Sequence, residues 1–382
     1  MVTTQGARAL APLSLEVFAR VEDARDDWRT LLAETAASPY QNYDYARLWA
    51  ATIGAAQGLA PAIVVLRDAR GTPYALFPFA TRRSKFGLRV AEYICGRESN
   101  LNLPLIRPGL DIDFAACLRA AAARMQQPPD LFLLKNQPRR FDGEDNPLVP
   151  QGAERSPSAA YGASLRGILA PMEERFSSGT RKKLRYQRRK LQQMGDLAFE
   201  HAAEGARKSQ IVRALFSQKA VRLAHLGKTN PFAQEAMGDF LARIAEEGVL
   251  EVHALGIDAR VVATYVGLAH AGRFSVLANS FESDKEVARF SPGEVLLHAL
   301  LDNLASRGFL EFDLGIGEAA YKDAVCDEKI ELFDAVFPVS AAGAIAAPLY
   351  GAATRAKREI KRRPWLARPI ERLRRGGLAP RG

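Results

Sequence analysis

The sequence predicts a mixed α/β protein built as two halves, and three observations carry that expectation. The chain has 382 residues, more than one ordinary core accommodates and well suited to two domains. Its apolar share of 48% and charged share of 25% are those of a globular protein with material for two buried cores. The run "VLEVHALGIDARVVATYVGLAHAGRFSVLANSFE" reads as three strands joined by the hairpin turns "GIDAR" and "HAGR". A helix, "SPGEVLLHALLDNLASRG", and a strand, "FLEFDLG", follow it. Hairpin strands, a helix and then a further strand predict a mixed sheet rather than a purely parallel one.

The remaining elements follow in order. "DDWRTLLAETA" is an expected helix with Trp28, Leu31 and Leu32 on one side, and "SPYQNYDYARLWAATIG" starts a second helix after a Ser-Pro turn. "APAIVVLRD" and "TPYALFPFATRR" read as strands joined by a hairpin. "LDIDFAACLRAAAARM" reads as an Ala-rich helix and "PDLFLLKNQP" as a short strand ending at a proline. The Pro- and Gly-rich stretch "QPRRFDGEDNPLVPQGAERSPSAAYG" reads as a connection between halves. Beyond it come a basic helix, the strand "DLAFEHAA" and the helices "KSQIVRALFSQKAVRLAHLG" and "PFAQEAMGDFLARIAEEG". The expected division is residues 1–150, residues 151–340 and a basic, partly disordered tail at residues 341–382.

The net charge of +10 is local. The last 42 residues hold eleven Arg or Lys and two Glu, and Arg181 to Lys190 adds seven basic residues and no acid. The rest of the chain is therefore acidic, and the overall charge does not indicate a DNA-coating protein. Cys95, Cys117 and Cys326 are widely spaced with no CxxC pair, which argues against a disulfide framework or structural zinc and fits a reducing cytoplasm. The opening residues lack an apolar core long enough for a signal peptide, and no uncharged apolar run is long enough to span a bilayer. The sequence holds no GxSxG, HExxH or GxxxxGK[ST]. His201, His225, His253, His270 and His298 show no metal-ligand spacing, so no metal is expected. "GIGEAA", Gly315 to Ala320, matches a dinucleotide-binding pattern formally but lacks the βαβ context that the pattern requires.

"RFSPGEVLLHALL", Arg289 to Leu301, is more informative. Ser291 suits a helix cap, Pro292 the first helical position and Gly293 a close backbone approach. Free amides and the dipole at such a helix start attract anions, although an ordinary cap reads the same. In "GTRKKLRYQRRKLQQMG", Gly179 to Gly195, Leu184, Leu191 and Met194 mark a packing face, with Gln187 between. Arg181, Arg185, Arg188 and Arg189 share another face, and Gly195 stops the helix.

The order of strands, SPG loop, helix and "FDLGIGEAAYK" resembles the GNAT superfamily of N-acyltransferases. More specifically it is similar to the CelD/BcsL-type acetyltransferases associated with cellulose and exopolysaccharide synthesis. "TRKKLRYQRRKLQQMG", "ARFSPGEVLLHALLDNLASRGFLEFDLGIGEAAYKDAV", "SPYQNYDYARLWA", "LFPFATRRSKFGLRVAEYICG" and "DLFLLKNQP" carry the resemblance, which covers nearly all of the chain before the tail. It implies two tandem GNAT-like halves, as in Fem-type transferases, with acyl-CoA as co-substrate of the second. The CoA pyrophosphate would rest on Arg289, Ser291, Pro292, Gly293 and Glu294. Pro292 stands where the family loop has its first glycine, and proline has no amide to donate.

The resemblance further implies Tyr321 as proton donor to the departing thiolate, with Asp313 and Glu282 as the carboxylates placed for a base. Lys322 would hold a substrate phosphate or carboxylate. The cationic face of Arg181, Arg185 and Arg189 would border the cleft for an anionic or lipid-linked acceptor.

The resulting expectation is acyl transfer to a sugar-derived or cell-envelope intermediate in the cytoplasm. Two alternatives are a non-catalytic accessory of exopolysaccharide assembly and a Fem-like transferase using aminoacyl-tRNA. The tail, with Trp365, Leu366 and Ile370 among arginines, would give peripheral attachment to the inner face of an anionic membrane.

Overall fold

The computed structural model describes residues 13–84, 86–167, 174, 176–202 and 204–363. The first part of the chain supplies β1 (Ser14–Phe18), α1 (Arg25–Glu34), α2 (Tyr43–Trp49), β2 (Ala60–Arg67), β3 (Pro73–Arg83) and β4 (Arg89–Tyr93). It continues through β5 (Leu105–Ile106), α3 (Phe114–Arg124) and β6 (Leu131–Pro138). Polar caps fix the helix starts: Asn42 accepts the Tyr45 amide before α2, and Asp113 accepts the Ala116 amide before α3.

The stretch expected to be a bare connection carries short strands: β7 (Arg140–Phe141), β8 (Glu144–Asp145), β9 (Glu154–Arg155) and β10 (Ala160–Ser164). Next come α4 (Ser178–Gln192), β11 (Leu197–Ala202), α5 (Gly205–His225), α6 (Glu235–Glu246), β12 (Glu251–Ile257), β13 (Arg260–His270) and β14 (Arg273–Phe281). The chain ends with α7 (Lys285–Ala288), α8 (Pro292–Ser306), β15 (Glu311–Ile316), α9 (Ala320–Val325), β16 (Glu328–Ile330), β17 (Leu332–Pro338) and α10 (Ala341–Arg362).

Two mixed sheets share one strand pattern. The first runs β1-β2-β3-β4-β6-β17-β9, with β5 paired to β3. The second runs β11-β12-β13-β14-β15-β10-β16. In each, four antiparallel strands meet a parallel neighbour, and antiparallel strands continue beyond it. The parallel contacts are short. β4 pairs β6 only at Val90 and Ala91, and β14 pairs β15 only from Arg273 to Ser275. Past those residues the strands diverge and leave their facing backbone groups to other partners. The architecture is a tandem GNAT-like fold.

The second sheet is built entirely from residues 160–330, whereas the first needs both residues 14–155 and β17. The expected boundary near residue 340 therefore falls inside the first half's framework. Register explains it: Leu332 to Pro338 runs antiparallel to Pro138 to Leu131.

The basic tail also needs correction. Residues 341–362 form α10, capped by Ser340 and packed on β17 and β9. A Cβ at Gly343 would lie 1.9 Å from the Asp130 carbonyl oxygen, so only glycine lets this helix seat. Trp365, Leu366 and Ile370 lie outside the described residues.

α4 and α8 cover one face of the second sheet, burying Leu184, Leu191, Leu296, Leu297, Leu300 and Leu301. Met194, expected on the packing side, is instead exposed, because the helix ends at Gln192. α5 and α6 cover the other face and meet the first half through α2. There Tyr45 and Phe240 pack edge to face, with centroids 5.2 Å apart.

Candidate active site

The open edge of the second sheet begins at the last parallel pair, Ser275 and Asp313. Beyond it, two residues of the first half bridge the gap. The Tyr40 hydroxyl donates to the Val276 carbonyl at 2.8 Å. Asn100 donates to the same carbonyl at 3.1 Å and accepts the Ile316 amide at 3.3 Å. Gly315, at φ +78°, makes the approach feasible, since a Cβ there would sit 2.6 Å from the Asn100 amide nitrogen.

Beside this opening lies a cavity of about 690 Å³ between the halves. Trp49, Arg97, Glu98, Asn100, Lys135 and Phe232 are among its walls. The indole of Trp49 donates to Glu98 at 2.9 Å. Burial pushes the Glu98 carboxyl above its ordinary range, against the opposing Trp49 bond.

On β14, Asn279 is a hydrogen-bond partner of the hydroxyls of both Tyr265 and Tyr321. Tyr321 is 40% exposed. Burial of the rest of its ring holds its phenol above the usual value, so it keeps its proton at neutral pH. α5 adds two cations. The Arg222 guanidinium lies 4.5 Å over the Phe281 ring and acts electrostatically on both tyrosines. The Lys219 ammonium lies 5.6 Å over Phe232, and burial with the Arg222 charge brings it down to about 8. Among the described residues neither cation has a carboxylate within ion-pairing distance. An exposed arginine and a half-buried lysine without carboxylate partners, near a half-exposed tyrosine, give this side of the opening a positive field suited to an anion.

The other expected site residues take different places. Asp313 is fully buried and accepts the Gly315 amide at 2.8 Å. Burial raises its pKa, with the Gly315 amide, Arg273 and Ser275 opposing, so it braces the strand junction without reaching an acceptor. The Lys322 ammonium donates to the carbonyls of Leu314, Gly315 and Ile316 at 3.0, 2.9 and 3.2 Å. It therefore caps the end of β15 and holds no substrate anion. Glu282 is engaged by Arg260 at the far end of β14.

At the start of α8, Ser291 adopts a left-handed conformation with φ 49°, and Pro292 opens the helix. The Glu294 and Val295 amides turn back to the Ser291 carbonyl, and the Ser291 amide to Ala288. The loop is thus largely closed on itself, and Gly293 is its remaining candidate donor. Arg289 pairs with Glu286 at 2.6 Å. Glu294 pairs with Lys183 of α4 at 2.9 Å, and Tyr186 meets Phe290 edge to face at 6.3 Å.

α4 therefore flanks the loop that opens α8, on the sheet face opposite α5 and α6. Exposed Arg185 and Arg189 and half-exposed Arg181 accompany that loop and are absent from the cavity walls.

Strand pairing also creates one histidine cluster that linear spacing hid. His201 and His253 are directly opposed on β11 and β12, with rings stacked at 4.6 Å. Glu251 Oε2 lies 3.5 and 3.4 Å from their Nε2 atoms. It is the one metal-like grouping among the described residues. Arg307 donates to both Glu251 oxygens at 2.9 Å, so the carboxylate already has its cation. Burial would raise the Glu251 carboxyl, but bonds from His253 and Arg307 hold it at about 2.

Comparison with known proteins agrees with this geometry. Residues 178–323, from α4 into α9, match the family model described as an acetyltransferase (GNAT) domain. No curated protein matches the sequence. Among solved structures, FemX aligns with TM-score 0.59 at 8% identity, covering 87% of this chain and 98% of its own. L-PGS from Bacillus licheniformis aligns with TM-score 0.52 at 14% identity, covering 86% and 96%. The C-terminal DUF2156 domain of an Agrobacterium fabrum protein, described as a lysylphosphatidylglycerol synthetase, aligns with TM-score 0.50 at 15% identity, covering 87% and 95%. At these identities the likeness is one of fold. Residues 178–323 of this chain thus resemble a GNAT acetyltransferase domain, set in the second half of a tandem GNAT-like fold.

Proposed function

We propose that the chain is an acyltransferase whose acyl donor enters the opening between β14 and β15 and whose acceptor occupies the cavity between the halves. The observation that carries this reading is Tyr321, half-exposed and protonated, held by Asn279 at the mouth of that opening. An acceptor amine or hydroxyl attacks the donor carbonyl and loses its proton, and the C–S or C–O bond to the leaving group breaks. Tyr321 supplies the proton that the leaving group takes up, and the proton shed by the acceptor passes through solvent to restore the tyrosine. Lys219 and Arg222 neutralise a phosphate or carboxylate alongside. Arg97, Lys135 and Glu98 suit a polar acceptor that carries charge.

Acetyl-CoA or a longer acyl-CoA is the first candidate donor, and a sugar-derived or envelope-lipid intermediate the first acceptor class. Calorimetric titration with these thioesters, coupled to thiol release in the presence of amino-sugar and lipid acceptors, tests it. A folded protein that binds no acyl-CoA would remove the thioester from the reading. The self-closed loop at Ser291–Val295 and the basic face of α4 favour a second donor, an aminoacyl-tRNA. Transfer of a labelled amino acid from charged tRNA, with no thiol release, would establish that form instead. The non-catalytic alternative would be upheld if neither donor supports transfer while both halves remain folded.

A further inference from the structure

The most exposed large apolar residues among those described are Phe86, Ile345 and Leu349, at 88%, 78% and 69%. They belong to two elements far apart in sequence, the β3–β4 hairpin and α10. Asp130 ties those elements together. Its amide donates to the Arg89 carbonyl at 2.7 Å, and its carboxylate accepts the Arg89 amide at 2.9 Å. Its carbonyl accepts the Val339 and Ser340 amides, and its carboxylate the Ser340 hydroxyl at 2.7 Å. Leu88 and Ala346 then pack in one small apolar cluster under both elements. Phe86 sits three residues from one end of this hub, and Ile345 lies about a turn and a half past the other.

The surroundings are basic. Arg83, Arg89 and Arg119 line a depression of about 390 Å³ between the hairpin, α3 and the start of α10. Of the acids nearby, Asp130 is bound within the hub, and Asp113 accepts the Ala116 amide and lies 3.9 Å from the Arg119 guanidinium in an exposed pair. Residues 341–353 carry no charge, and Ile345 and Leu349 occupy one outward stripe one turn apart. The second half of the helix carries Arg355, Lys357, Arg358, Lys361 and Arg362 against Glu359, with Glu154 of β9 pairing Arg355 and Arg358.

We infer that this end of the first half is a docking surface for an anionic lipid bilayer. Phe86, Ile345 and Leu349 enter the headgroup–acyl boundary, and the arginines meet lipid phosphates. Charge selects this occupant over a second copy of the chain, because a self-contact would bring like-charged arginines face to face. No described helix is long and apolar enough to cross a membrane, so the surface lies on the bilayer.

The test is sedimentation of the full chain with vesicles of phosphatidylcholine alone or with phosphatidylglycerol added. The chain is expected to partition onto the anionic vesicles, and a Phe86→Ser, Ile345→Ser, Leu349→Ser variant to lose about tenfold in partition. Arg83→Glu with Arg119→Glu is expected to lose a similar factor and to abolish the salt dependence at low ionic strength. All five side chains are on the surface, and an unchanged melting curve confirms that each variant is folded. Equal partition of the apolar variant and the parent would overturn the inference, as would equal binding to both vesicle types or to neither. A parent dimer in sedimentation velocity that the apolar variant dissociates would also overturn it, in favour of a second copy.

Discussion

Both sheets part at the same point in their strand order, yet the two openings are finished differently. In the first, between β4 and β6, Asn102 donates to the Lys135 carbonyl at 3.0 Å and Tyr93 donates to Gln137 at 2.9 Å. Gln137 in turn donates to the Leu134 and Leu148 carbonyls, and all three side chains are buried. That opening is bridged by side chains of its own half, and its Tyr93, Asn102 and Lys135 line the cavity between the halves. In the second, the bridge is made by Asn100 and Tyr40 from the other half, and its mouth keeps a half-exposed tyrosine and two unpaired cations. Duplicated topology thus separates the two uses of diverging strands. One gap is bridged by amides of its own half, while the other is bridged from the opposite half and is the one to which the proposed chemistry is assigned. Asn100 and Asn102, two residues apart in one loop, serve the two gaps.

The sharpest way to break this comparison is Tyr321→Phe. It should lower kcat by about a hundredfold, within the range for a lost acid catalyst, and leave the melting temperature unchanged. Next comes the pair of bridges. Asn102→Ala should cost about 1–3 kcal/mol of stability by orphaning buried backbone groups, seen as a lower urea midpoint. Asn100→Ala should instead act mainly on turnover, lowering kcat about tenfold through loss of positioning at the divergent strands. Reversal of those two outcomes would exchange the roles of the openings.

Lys219 gives a pH test. It titrates near 8 when folded and near 10.5 when free. Below about 8 it is charged in both states, and the cost of burying that charge is fully present. Between about 8 and 10.5 the unfolded chain holds the extra proton, so this residue makes stability rise with pH. Lys219→Met should raise the melting temperature at neutral pH, flatten that rise and weaken donor or acceptor binding.

The smallest expected effect is on α4. Arg185→Glu with Arg189→Glu should weaken donor binding about tenfold at low salt and little at high salt. A loss confined to acceptor affinity would return the helix to the cleft first expected for it.

Local physics made much of this legible. The hairpin run 250–282, the helix α8 opening at Pro292 and the strand "FLEFDLG" form as their spacing predicts, because each depends on neighbours close in sequence, although Ser291 makes no side-chain cap. Tyr321 was named through the family resemblance, and its place after that strand leaves its side chain half-exposed. Lys322 and Asp313 were misread because nothing local distinguishes a substrate-holding lysine from one that caps three carbonyls. Lys219 and Arg222 are two cations at i and i+3 on a basic helix, where a solvated face reads the same. The histidine pair and the destination of β17 depend on pairings between distant segments, to which periodicity is blind. The polar run "RESNLNLP" before Pro104 was the available signal for Asn100 and Asn102, and it passed as an ordinary loop.

The seating of β17 and α10 in the first sheet has a consequence for biosynthesis. Residues 160–330 contain every strand of their own sheet, so that sheet can complete its pairing before residues 332–362 leave the ribosome. The first half precedes it in the chain but lacks a strand and its covering helix until residues 332–362 have been made. Until then β6 presents an unpaired edge, the kind of surface that invites association with other nascent chains. Gly343, which admits the helix against Asp130, governs the closing step of folding.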